Sequence, residues 1–191
     1  MRLFQHTCPA CRDGATCDAV PRRVMLGAAF GLLTAPAMAQ SGASGTRSIA
    51  VRRVQTGDSF RGVYWRDGRY DRDALHRLDE VLRDPGLDEA TPMDPRLFDV
   101  LNQVQRRLGS DDMWDVISAY RAPESNAARA RESRRVSRVS LHMSGMAVDC
   151  RLPGRDSMGI ARTAADMQTG GVGLYRRDGF VHLDCGPVRR W

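Results

Sequence analysis

A chain of 191 residues with 42% hydrophobic and 27% charged side chains has room for one hydrophobic core and reads as soluble and globular, which excludes a disordered or membrane-embedded protein. The net charge of +6 rests on arginine alone, because the sequence contains no lysine. The arginines are scattered and no row of aromatic residues accompanies them, so nucleic acid is not the expected partner; a basic surface still suits an acidic polymer or an anionic envelope.

The first element is a leader. Arg22 and Arg23 precede an apolar run from Val24 to about Ala35, which closes on the small-x-small sequence Ala37-Met38-Ala39. This layout predicts a cleavable export signal over residues 1–39, cut between Ala39 and Gln40. The run is too short to anchor the chain as a membrane-spanning helix. The paired arginines point to the twin-arginine export machinery, hence to the periplasm, with no membrane anchor after cleavage. Cys8, Cys11 and Cys17 have the spacing of half a zinc site but leave with the leader, as do four arginines and two aspartates. Cys150 and Cys185 then remain, in a compartment where disulfides persist.

Gln40 to Ser48 is small and polar and reads as a linker. IAVRRVQT and FRGVYW, the latter followed by Asp67-Gly68, predict short strands. Leu75, Leu78 and Leu82 recur at helical spacing within Tyr70 to Asp84. A second helix follows Pro95, with Leu97, Leu101, Val104 and Leu108 on one stripe and Gly109 as its stop. His76 sits among charged neighbours on the first helix and is given no role. Trp114 to Arg121 reads as a strand, PESNAARARES as a short helix opened by Pro123, and RRVSRVS as a basic loop. A strand from Met146 to Leu152, a helix around Ser157 to Met167 and two strands, GVGLY and FVHLD, complete the chain. Helices early and strands late predict an α+β fold with a small, mostly antiparallel sheet flanked by helices.

Strand alternation carries the chemistry. In Met146–Leu152, Met146, Val148, Cys150 and Leu152 share an apolar face, so Asp149 points away from the core with only Ala147 beside it. His182 shares a face with Phe180 and Asp184, opposite Val181, Leu183 and Cys185. If these strands are neighbours, Asp149 and His182 meet on one open face, and His142 reaches in from the loop before Gly145. Two histidines and one carboxylate are a catalytic zinc set with a position left for water, and metal-assisted hydrolysis is the chemistry such a set performs. The bland alternative is a loop running into a buried strand, and spacing alone does not choose between them.

SLHMSGMAVD resembles the SxHxxGxAxD signature of the zinc D-Ala-D-Ala metallopeptidases, a superfamily that includes lysostaphin-type enzymes and the hedgehog fold. DGRYDRDALHRLDEVLRD, DPRLFDVL, ISAYRAPESNA, SLHMSGMAVDCRLPG and GGVGLYRRDGFVHLDCGPVRRW occur in the order of its YcbK-like murein endopeptidase branch, over nearly all of Gly62 to Trp191. The resemblance implies Zn2+ held by His142, Asp149 and His182, a hedgehog/DD-peptidase-like fold over 62–191, with residues 40–61 as linker and N-terminal strand, and the peptide cross-bridges of peptidoglycan as substrate. It implies that Arg121 contacts the substrate or the developing oxyanion, where a fixed guanidinium would stabilise a tetrahedral intermediate.

The chain also departs from that pattern. Where many members carry a basic glutamate three residues before the second histidine, this one has Gly179, and Asp178 has the wrong parity. Asp184 has the right parity, and either takes a proton from the attacking water or orients His182. The missing glutamate leaves a wall-binding module that keeps the metal pocket without catalysis as the alternative function. LRDPGLDEA also differs from the branch, which more often continues LRD with His-Arg. Cys150 and Cys185 share an apolar layer, either as a disulfide or as two buried thiols.

Overall fold

The computed structural model describes residues 45–133 and 136–191; the expected export leader, its expected cut site and Cys8, Cys11 and Cys17 lie outside the described residues. The described residues form eight strands and four helices. Strand β1 (Thr46–Arg53) and β2 (Ser59–Arg66) pair antiparallel, and the Asp67-Gly68 turn, with both residues at positive φ, returns β2 into the two-residue β3 (Arg69–Tyr70). Helices α1 (Arg72–Val81) and α2 (Pro95–Arg107) follow, each started by an aspartate: Asp71 accepts a hydrogen bond from the Ala74 N–H, and Asp94 from that of Arg96. Then come β4 (Trp114–Ser118), α3 (Pro123–Glu132), a 3-10 turn (Leu141–Ser144), β5 (Ala147–Arg151), α4 (Ser157–Met167), β6 (Gly171–Tyr175), β7 (Phe180–Asp184) and β8 (Arg189–Arg190).

The fold is α+β, but the sheet departs from the small, mostly antiparallel one expected. It is a mixed eight-stranded sheet in the order β3-β2-β1-β4-β5-β7-β6-β8, with β1 parallel to β4 and β6 parallel to β8. Two strands are only two residues long, too short to leave an alternating pattern in sequence. The β1–β4 pairing joins segments separated by a hairpin and two helices, and strand order of that kind has no periodic signature. Other boundaries move by a few residues. Tyr70 belongs to β3 and not to the first helix, β1 takes in Thr46 to Ser48 from the expected linker, and β4 ends at Ser118.

The core lies between the sheet and three helices, α1 packing on β2, α2 on β1 and β7, and α4 on β6 and β7. Leu97, Leu101 and Val104 of the α2 stripe are fully buried, with Leu108 partly so, and Trp114, Val116, Val148, Val181 and Leu183 meet them from the strands. Burying each such side chain contributes about 1.5–3 kcal/mol. Among the described residues no helix is long and apolar enough to cross a membrane.

Candidate metal centre and its cleft

The alternation read from sequence holds at the centre of the sheet. Strands β5 and β7 are antiparallel neighbours in a register that sets Asp149 directly opposite His182. Val148 and Cys150 on one strand, and Val181 and Leu183 on the other, face the core and are buried completely. His142 arrives from the 3-10 turn. Ser140 caps this turn by accepting a hydrogen bond from the His142 N–H, and Gly145 closes it in the left-handed region at φ +65°. A side chain at Gly145 would also lie 2.7 Å from the Pro92 carbonyl oxygen, so glycine is required here twice over.

Ligand atoms of His142, Asp149 and His182 lie within 4.8 Å of one another. His142 Nδ1–H donates to the Ala119 carbonyl at 2.7 Å, which leaves Nε2 as a bare acceptor facing Asp149 Oδ1 at 3.4 Å. His182 Nδ1 lies 2.9 Å from the same oxygen, and its Nε2 lies 3.1 Å from Asp184 Oδ2. When both rings are neutral and Nε2–H of His182 points at Asp184, two imidazole lone pairs face one carboxylate oxygen. Such an arrangement calls for a cation between them, and two nitrogens with one oxygen are donors that zinc accepts.

The electrostatics of His142 and Asp149 agree with this arrangement. Burial holds the His142 pKa below its ordinary value, so the ring is neutral and available as a ligand near pH 7. Burial alone would raise Asp149, yet the His142 and His182 rings against it keep its carboxyl well below the usual range. For His182, burial pulls the pKa down, but Asp149 and Asp184 outweigh it and the net direction is upward.

Arg121 and Asp184 occupy different positions relative to this centre. Arg121 is buried, donates to Asn126 Oδ1 at 2.9 Å and Ser118 Oγ at 3.1 Å, and approaches Asp149 Oδ2 at 4.0 Å. Asp184 is completely buried on the far side of the His182 ring. It accepts from the backbone N–H groups of Gly171 and Gly186 and from Arg189. Asn126, Ser118, the Ala119 carbonyl and Arg189 went unmarked in the sequence, because each acts through a contact that only the fold creates. His76 is exposed on α1, and the Gly179 position is an exposed turn residue at φ +70°. Cys150 and Cys185 are buried free thiols. Cys150 pairs with Val181, whereas Cys185 lies at the other end of the same ladder, against Met146.

The centre opens into a cleft of about 430 Å³ lined by Arg121, Arg129 and Arg189 and by the rings of Tyr175, Phe180 and Trp191. Gly173 makes room for the Trp191 ring, which a side chain there would meet at 2.6 Å, and this ring stands 5.1 Å from that of His182. Asp149 is the one carboxylate among the described residues lining the cleft.

A family model, that of peptidoglycan L,D-endopeptidase MepK, matches residues 41–191. The peptidoglycan L,D-endopeptidase MepK of Escherichia coli K12 is 36% identical over 169 residues, which is 88% of this chain and 91% of that protein. The Shigella flexneri protein of the same name matches with the same identity and coverage. The probable peptidoglycan L,D-endopeptidase MepK of Haemophilus influenzae is 34% identical over 146 residues, 76% of this chain and 78% of its own. No solved structure matches the chain.

Proposed function

This chain belongs to the peptidoglycan L,D-endopeptidase MepK family, and we propose that it is an exported zinc peptidase that hydrolyses the peptide cross-links of peptidoglycan. The observation that carries this reading is the convergence of His142, Asp149 and His182 at the floor of a cationic cleft. Zinc held by these three residues would supply Lewis acidity, polarising a peptide carbonyl and making water a better nucleophile.

The chain's own groups do the rest. The Ala119 carbonyl fixes the His142 tautomer, and Asp184 fixes that of His182, so each ring presents its free nitrogen toward Asp149. We therefore assign Asp184 to positioning; its complete burial and its four other hydrogen bonds support this over a role as proton acceptor in the cleft. Arg121, braced by Asn126 and Ser118, places a fixed positive charge beside Asp149, where it can hold the carbonyl oxygen of the scissile bond and stabilise the charge that develops on it. Burial lowers its pKa but leaves an arginine charged at neutral pH. The leader over 1–39, its twin-arginine export and the periplasmic location belong to the same proposal, as does a hedgehog/DD-peptidase-like ancestry for the fold.

The names of the relatives favour the L,D cross-link, in which diaminopimelate is joined to diaminopimelate, over the D-Ala to diaminopimelate bond. The test uses protein from Gln40 onward, loaded with zinc and incubated with muropeptide dimers of both linkages, the products being separated and weighed. Conversion of diaminopimelate–diaminopimelate dimers to monomers, with the other dimers intact, is expected. Cleavage of the D-Ala linkage instead would overturn the specificity. Tight binding to sacculi with no conversion of either dimer would favour the wall-binding module, which the glycine at 179 motivates and with which the lack of a second cleft carboxylate among the described residues is consistent.

A further inference from the structure

The three arginines of the cleft are not equivalent. Arg121 is committed to Asn126 and Ser118, and Arg189 to Asp184 and the Pro187 carbonyl. Arg129, near the end of α3, is exposed and its guanidinium makes no hydrogen bond or ion pair among the described residues, although it lines the cleft. A second arginine adds to the imbalance. Arg53, at the end of β1, is 1% exposed, and its Nε and Nη1 have no hydrogen-bond partner. Burial, then repulsion from Arg129, lowers its pKa to about 10, which still leaves it charged near pH 7. Asp84 and Asp149 are the acids that act on it, and both are already engaged, Asp84 by the N–H groups of Gly86 and Ala122 and Asp149 by the two histidines. The guanidinium groups of Arg53, Arg121 and Arg129 thus act on one another beside two committed carboxylates, Asp84 and Asp149, and low-dielectric surroundings strengthen the field they produce.

We propose that Arg129 anchors a carboxylate of the peptide substrate, so that the enzyme selects cross-link peptides whose acid groups are free over those in which they are amidated. The anchor lies at the wall of the cleft, and the rings of Tyr175 and Trp191, which line the same cleft, offer apolar surface to the rest of the peptide. The proposal rests on the peptidase reading of the same site. Arg129 determines specificity and takes no part in bond cleavage; a charge-assisted hydrogen bond at a half-open site is worth about a tenfold preference.

Two matched stem peptides, one with its free diaminopimelate carboxylate and one amidated there, distinguish the cases. Zinc-loaded protein binds the uncleavable monomeric peptides in a calorimeter and cleaves the corresponding dimers in a kinetic assay. The wild type should favour the free acid about tenfold in both, with the kinetic difference falling on KM and not on kcat. In Arg129→Gln the ratio between the two peptides should collapse to near one. A ratio unchanged by the substitution, or equal weakening of both peptides, overturns the anchor. Discrimination in the calorimeter without turnover would uphold the anchor and overturn the peptidase reading; turnover without discrimination would do the reverse.

Discussion

Asp149→Ala is expected to lose both bound zinc and turnover, with kcat/KM falling by at least about a thousandfold, or about 4 kcal/mol of barrier. Asp149 is the hub of the centre. It faces His182 across the β5–β7 ladder, receives His142 from the turn, and stands 4.0 Å from Arg121. Without it two neutral imidazoles remain, a set too poor to hold the ion. Asp149 lies on the open face of β5 while its neighbours Val148 and Cys150 keep the core, so the variant should still fold, and circular dichroism with metal analysis checks both points. A folded variant with wild-type turnover would remove Asp149 from the site.

Asp184→Asn has the next largest effect and separates the two roles that the sequence leaves open. Asparagine keeps one acceptor oxygen for the N–H groups of Gly171 and Gly186, but its amide must face either the His182 ring or Arg189, where the carboxylate accepted. With His182 no longer held in one tautomer, zinc affinity should fall about 10- to 100-fold, and saturating zinc should restore most of the turnover. A proton acceptor in the reaction would give the opposite pattern, with zinc affinity intact and kcat reduced by about 10²–10⁴ at saturating metal. Zinc titrations monitored by turnover read both quantities from one curve.

Much of this site is legible in the sequence because it sits on strands with a strict period of two. One apolar face on Met146–Leu152 and one on Phe180–Cys185 are enough to turn Asp149 and His182 the same way, and the ladder places them opposite each other. Gly145 is legible too, since a chain that must turn sharply between a histidine and a strand needs a residue at ease with positive φ. The hydrophobic stripe of α2 and the Asp67-Gly68 hairpin follow from local rules in the same way.

What stays hidden depends on which strands meet. The parallel β1–β4 pairing and the two-residue strands β3 and β8 enlarge and mix the sheet, and neither leaves a periodic trace. The braces of Arg121 come from Ser118 and Asn126, two ordinary polar residues, and the partner that neutralises Asp184 is Arg189, one of many arginines in the chain. Arg53 shows the same limit from the other side. Its place on β1 suggests only one more basic residue in an alternating strand, and its burial, with Nε and Nη1 lacking hydrogen-bond partners and the charges of Asp84 and Arg129 acting on it, emerges only from the fold. The missing glutamate at Gly179 is plain in sequence, but that the cleft offers no second carboxylate there among the described residues is a property of the fold.

The most direct test is a zinc titration of protein first stripped by a chelator, with cleavage of cross-linked dimers measured at each addition. Turnover should be absent at the start, rise in proportion to zinc and level off at one ion per chain. Full turnover in the stripped protein, with no metal detectable by mass spectrometry, would contradict the assignment of His142, Asp149 and His182 as a catalytic zinc site.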